Sequence, residues 1–233
     1  MILVTLLWSI AGVVTRHLET ARSFEVTFWR SAFNALGLVA LLSWLRGPRA
    51  LWRSVRGGGT MLWISGLCWS VMFTAFMVAI TLTTVANVLV TMAVAPLLTA
   101  LVARLVLGHR LAIRTWGAIV VAGIGIAWMY AREVSGSDPR HLLGTGVALG
   151  VPMAAAVNWT ALQHNSRKRL EDRQGGSRDM LPAVLIGGVI SALVTLPLSL
   201  PFAASAHDLA LLALLGVVQL AIPCLIAVSV ARV

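Results

Sequence analysis

Long apolar runs broken by short polar segments dominate this chain. Taken between charged or Gly/Pro-rich breaks, the runs cover residues 1–15, 26–45, 61–81, 84–107, 112–131, 143–164, 181–200 and 208–230. A helix needs roughly 17 to 25 mostly apolar residues to cross a bilayer. All but the first run meet that length, and the first is short. The third and fourth are separated only by "LTT", Leu82 to Thr84, which predicts a tight antiparallel hairpin. The pattern therefore predicts an all-α integral membrane protein with eight transmembrane helices. Charged residues avoid the runs, as expected when a charge at the bilayer centre costs about 2.5 to 3.5 kcal/mol on the gentlest scale.

Composition agrees: 59% of residues are hydrophobic and 11% charged, against about a quarter charged in ordinary soluble domains. Mean hydropathy is +0.90. A net charge of +10 would suggest nucleic acid in a soluble protein. Here the positive charge sits between apolar runs, where orientation in the membrane explains it, and no nucleic-acid partner is expected. The expected partners are the lipid bilayer, a small-molecule substrate and, as a candidate, a second copy of the chain. Arginine outnumbers lysine seventeen to one, Lys168 being the lysine, a bias that suggests a GC-rich bacterial genome. Cys68 and Cys224 fall inside apolar runs and there is no CxxC, so neither a disulfide framework nor a metal site is expected, and no cofactor. The N-terminus lacks a basic segment and a small-residue cleavage pattern, so residues 1–15 read as part of a span.

Loops alternate in charge. One set holds Arg46, Arg49, Arg53, Arg56, Arg104, Arg110, Arg114, Arg167, Lys168, Arg169, Arg173, Arg178 and Arg232. The other holds Arg16, Arg22, Arg30, Arg132 and Arg140, beside Glu19, Glu25, Glu133, Asp138 and Asp208. Thirteen against five places the N-terminus in the cytoplasm, because cytoplasmic loops carry the basic excess.

The chain also repeats itself. "WSIAGVVTR" (residues 8–16) and "WTALQHNSR" (159–167) share a Trp followed by a small hydroxyl residue and, seven residues after the Trp, a hydroxyl residue followed by Arg, at an offset of 151. The same offset carries 61–81 onto 212–232. The period is five spans, and an odd period inverts the second copy. Inverted repeats are an architecture of secondary transporters, which switch a midplane site between two faces.

"AITLTTVANVLVTMAVAPLLTALVARLVLGHRL" (residues 79–111), with Trp8, Arg30, Pro96 and the terminal Leu107, Gly108, Arg110 and Leu111, resembles the EamA-type domain of the drug/metabolite transporter superfamily. "LLGVVQLAIPCLIAVSVAR" (214–232) is similar to the third span of that domain's second copy. The resemblance implies ten spans, cytoplasmic termini and movement of a small metabolite in a bacterial inner membrane. It divides the chain into a first repeat, 1–131, and a second, 143–233. Two departures stand out: Trp8-Ser9 where Trp-Gly is usual, and His109 where the family has an acid. Val233 is the counterpart of Leu82, and the first run is about eight residues shorter than its counterpart. The expectation is a carrier copy missing its ninth and tenth spans, with a non-transporting fragment as the alternative.

Thr5, Trp8, Ser9 and Gly12 share one helical face, as do Asn87, Thr91 and Ala95. Polar and small stripes in a span should face protein or water. Trp8, Ser9, Trp69, Asn87, Thr91, Asn158, Trp159 and Gln219 are the candidate cavity residues, the tryptophans offering a ring face and one N–H. Pro96, Pro152 and Pro223 are expected to kink their spans. "RGGGT" (56–60) lacks the Lys-Ser/Thr of a phosphate-binding loop and reads as a turn. "NWT" (158–160) lies in a span, out of reach of glycosylation. No catalytic residues are assigned: no HExxH, GxSxG or paired intramembrane acids occur, so a membrane enzyme is the weaker alternative. With all eight acids in loops or at span ends, the expected cargo is a neutral or zwitterionic solute such as an amino acid.

Overall fold

The structure, a computed structural model, describes residues 2–107, 112–134, 139–171 and 180–230. Among them there is no strand. Eleven α-helices follow one another: α1 (Ile2–Val14), α2 (Ser23–Arg46), α3 (Pro48–Gly57), α4 (Gly59–Leu82), α5 (Val85–Met92), α6 (Ala95–Leu107), α7 (Ile113–Val134), α8 (Pro139–Glu171), α9 (Pro182–Ser199), α10 (Ala206–Leu214) and α11 (Ile222–Val230). Six stretches are long and apolar enough to cross a membrane: Phe24–Arg46, Gly59–Leu82, Val85–Val106, Pro139–His164, Pro182–Ser199 and Ala206–Val228. Ile2–His17 and Ile113–Gly125 are shorter apolar helices.

Two expected spans are not continuous α-helices, and proline accounts for both. Pro96 has no N–H to return to the preceding turn, so the fourth span breaks at Ala93 and Val94 and restarts at Ala95. Pro223 has none to return to Gln219. There the backbone widens into a π-helical stretch, Leu215–Ala221, and the N–H of Ile222 reaches back to the carbonyl of Val217. Pro152, by contrast, sits inside an unbroken α8.

Two readings of the loops are corrected. "RGPRALWRSVR" was expected as a loop, but Pro48–Gly57 is a helix with Pro in its first turn, where the missing N–H costs nothing. Arg49, Arg53 and Arg56 lie along it, and Leu51 and Val55 pack on the core. Arg56 lies 4.5 Å over the Trp52 ring. Arg30, counted with an external loop, is inside α2 and 1% exposed. The "LTT" turn is as expected: α4 ends at Leu82 and α5 begins at Val85. Most of "RKRLEDRQGGSR", the Gly-His-Arg-Leu of residues 108–111, and Arg232 lie outside the described residues.

The centre of the bundle is α4, packed on α8 and α9, with α2 packed on α9 and on the π stretch. These helices approach closely at glycine. A Cβ at Gly187 would lie 2.4 Å from that of Trp69 and 3.0 Å from the Gly66 carbonyl. One at Gly216 would lie 2.7 Å from the Arg30 carbonyl. Small residues are how helices pack when lipid is as apolar as the side chains. One hydroxyl cluster ties three of them, Ser191 on α9 bonding Ser31 of α2 at 2.9 Å and Thr74 of α4 at 2.8 Å.

Candidate functional site

A cavity of about 480 Å³ is lined by Ala95, Pro96 and Thr99 of α6 and by Trp159, Leu162 and Gln163 of α8. It lies where the fourth span is broken. Such breaks recur at transporter binding sites, because they free backbone groups that need a partner. Trp159 links the cavity to the core: its ring meets Trp69 edge-on at 6.2 Å, and Trp69 lies 5.4 Å from Phe73. Beside this row, Asn158 accepts the Ser65 hydroxyl at 2.6 Å.

At the far end of the row is Arg30. It donates to the Phe73 carbonyl at 3.2 Å and to the Gln219 side-chain oxygen at 3.3 Å, and its guanidinium sits 5.9 Å from the Phe76 ring centre. The π stretch places Gln219 there. Arg30 is six residues in from Phe24, about 9 Å along a helix. Among the described residues it is the one charged side chain that far from both ends of a candidate span. No carboxylate among them pairs with it.

The ends of the bundle differ. At the end holding the α1–α2 and α9–α10 connections, two buried carboxylates clasp opposite segments. Glu25 accepts the N–H groups of Ala203 (3.0 Å) and Ala204 (2.8 Å). Asp208 accepts those of Glu19, Thr20 and Ala21, each at 3.0 Å, and the Thr20 hydroxyl at 2.7 Å. Ser199 donates to the Phe24 carbonyl and the Ser205 N–H to the Thr20 hydroxyl. At the other end, marked by α3, the cavity runs from mid-span on α6 to the last turns of the α8 span.

The sequence candidates thus scatter. Trp69, Asn158 and Trp159 come together between α4 and α8, and Trp159 lines the cavity. Gln219 joins Arg30, which also bonds the Phe73 carbonyl of α4. Trp8 lies on α1, which packs on α11 and the π stretch, is partly exposed, and is not among the residues lining the cavity with Trp159. Ser9 is exposed and bonds the Leu6 carbonyl. Asn87 is in the first turn of α5, bonded to Thr83, and Thr91 is buried, bonded to the Asn87 carbonyl. Arg30, Asn34, Glu25, Asp208, Thr99 and Gln163 were not among the candidates. A signal existed for Arg30, which falls inside the apolar run 26–45. Among the described residues no group of His, Cys, Asp or Glu is placed to hold a metal ion.

A multi-pass helical bundle with a broken span and a cavity beside the break has the build of a membrane transporter. The chain belongs to the EamA-like transporter family, whose model matches residues 1–131. Comparison with curated proteins and with solved structures returns no match. The family makes it a membrane transporter of the drug/metabolite superfamily, as the motifs of the first 131 residues suggested.

Proposed function

We propose that this transporter moves a small neutral or zwitterionic metabolite across a bacterial cytoplasmic membrane by alternating access, using no cofactor and catalysing no reaction. It is built as an inverted repeat of five-helix units. Residues 1–131 form the first unit and 143–233 supply three helices of the second, making eight spans with the N-terminus cytoplasmic.

Helix packing supports the repeat. The 151-residue offset pairs α1 with α8, α2 with α9, and α4 with the α10–α11 span. Exchanging partners turns the packing of α4 on α8 and α9 into that of the α10–α11 span on α1 and α2, and both sets are present. The α2–α9 contact maps onto itself. Trp159 meets Trp69 on the third helix of the other copy, and α1, which carries its repeat equivalent Trp8, packs on the third helix of the other copy. With Arg30 moved into the membrane, basic residues divide thirteen to four. That division favours a cytoplasmic α3 end and an external clasp.

The observation that carries the reading is the difference between the ends, a clasp at one and a cavity at the other. Alternating access needs the clasp to part when the cavity closes. Holding it shut tests this. In a background lacking Cys68 and Cys224, cysteines replacing Thr20 and Ser205 are joined by a short reducible thiol cross-linker, and the solutes accumulated by membrane vesicles are profiled by mass spectrometry. At least one small metabolite should move only after the cross-link is reduced. Identical profiles in the locked and reduced states would refute the reading.

A further inference from the structure

The interior of the bundle holds donors with nothing to donate to. Nε1 of Trp29, Nε of Arg30 and Nε1 of Trp69 are buried and unpartnered, and none of these atoms can accept a hydrogen bond. The side-chain nitrogens of Asn34 and Asn158 are unpartnered too. Buried polar groups normally find partners, and a cluster left without them calls for a specific explanation. Five of the seven unpartnered atoms among the described residues are N–H donors that need acceptors, the others being the Asn34 side-chain oxygen and the Thr160 hydroxyl.

Arg30 adds a full positive charge. Its two bonds go to neutral oxygens, which offset only part of the several kcal/mol that an ion loses on leaving water. A charge inside a span marks a functional site by default, and its natural partner is an opposite charge. The two buried acids among the described residues, Glu25 and Asp208, are engaged with backbone N–H groups in the clasp. No acid among the described residues therefore supplies the opposite charge, and a ligand can.

We propose that Arg30 is the counter-charge for a carboxylate on the transported solute, and that Asn34 and Trp69 help to hold that group. The proposal rests on the carrier reading and narrows it: the cargo is a carboxylate-bearing molecule, whether a plain acid or a zwitterion. The row Trp159, Trp69, Phe73 leads from the cavity to the guanidinium. A carboxylate arriving along it replaces the Gln219 and Phe73 oxygens on Arg30, and the planar fork of the guanidinium matches its two oxygens. Asn34, one turn on from Arg30 and 0% exposed, has neither side-chain atom bonded, so it is free to take part.

The test uses the whole chain in lipid nanodiscs and three pairs of probes: acetate and acetamide, benzoate and benzamide, L-phenylalanine and L-phenylalaninamide. Thermal stability is measured against probe concentration. In at least one pair the carboxylate should half-saturate the wild-type protein at a concentration about ten-fold or more below its amide, the size expected for hydrogen bonds to a charged group. Arg30→Gln should abolish that preference and Arg30→Lys should keep part of it. If Arg30→Gln does not fold, Asn34→Ala should weaken the carboxylate and leave the amide unchanged. Failure of wild type to prefer any carboxylate, or survival of the preference in the folded variant, overturns the proposal. A plain acid and a zwitterion are told apart by whether benzoate or phenylalanine gives the larger preference. The cross-linking experiment does not depend on solute charge, so the carrier reading and the carboxylate site fail separately.

Discussion

At the clasp end, two carboxylates without cationic partners among the described residues grip the backbone N–H groups of opposing segments. At the α3 end, α6 and α8 meet across a cavity of about 480 Å³ through an aromatic ring, a proline and an amide. The first kind of contact is directional, since a charge-assisted hydrogen bond is roughly twice as strong as a neutral one and each carboxylate oxygen has a fixed donor. The second is apolar and adaptable. A carrier needs both, a seal that is either made or broken and a chamber that tolerates a solute. Between them, where Gly216 of the π stretch meets α2 and Gly187 of α9 meets α4, the helices come close to backbone contact.

That central contact is where the largest loss is expected. Gly216→Val puts a branched side chain where even a Cβ would lie 2.8 Å from the Asn34 nitrogen. Overpacking of this kind costs about 1 to 3 kcal/mol when neighbours can yield, and backbone yields poorly. The variant should not give a folded, monodisperse protein by size-exclusion chromatography, whereas Gly57→Val, at a glycine with no neighbour in range, should. Next comes the clasp. Asp208→Ala leaves three N–H groups and a hydroxyl without their acceptor, at about 1 to 3 kcal/mol for each group that water does not reach. It should lower the thermal midpoint and speed labelling of a cysteine at Thr20 by an external thiol reagent. Glu25→Gln keeps one acceptor oxygen and should do the same to a smaller degree. The smallest effect on stability belongs to the cavity: Trp159→Ala, on a partly buried ring beside open space, should lower the thermal midpoint less than either clasp variant while admitting bulkier solutes. A clasp variant as harmless as Trp159→Ala would erase the contrast between the ends.

Much of this was legible in the sequence. The apolar runs gave the helices within a few residues, since a bilayer demands apolar length and little else. The motif between Ala79 and Leu111 pointed to the family. The amphipathic α3 was hidden by its arginines, which read as loop when counted as charges and as helix only when their spacing is followed. Pro96 and Pro223 announced irregular backbone, but not that one would break a helix and the other widen it until Gln219 reached Arg30. The clasp had no sequence signal, because Glu25 and Asp208 bond backbone N–H groups nearly two hundred residues away, and such partners carry no side-chain signature. Asn87 and Ser9 were selected for polarity on a helical face, yet both bond their own helix or the adjoining turn, the commonest fate of such residues.

The central claim is that the clasp end is sealed while the cavity opens toward the α3 end. The most direct measurement places a single cysteine at Thr99, in a chain lacking Cys68 and Cys224, and follows its reaction with an impermeant thiol reagent in right-side-out and inside-out vesicles. The account predicts reaction in inside-out vesicles alone, with reaction in right-side-out vesicles appearing once Glu25→Gln and Asp208→Asn are combined. Reaction from outside with the clasp intact, or from neither side, would contradict it.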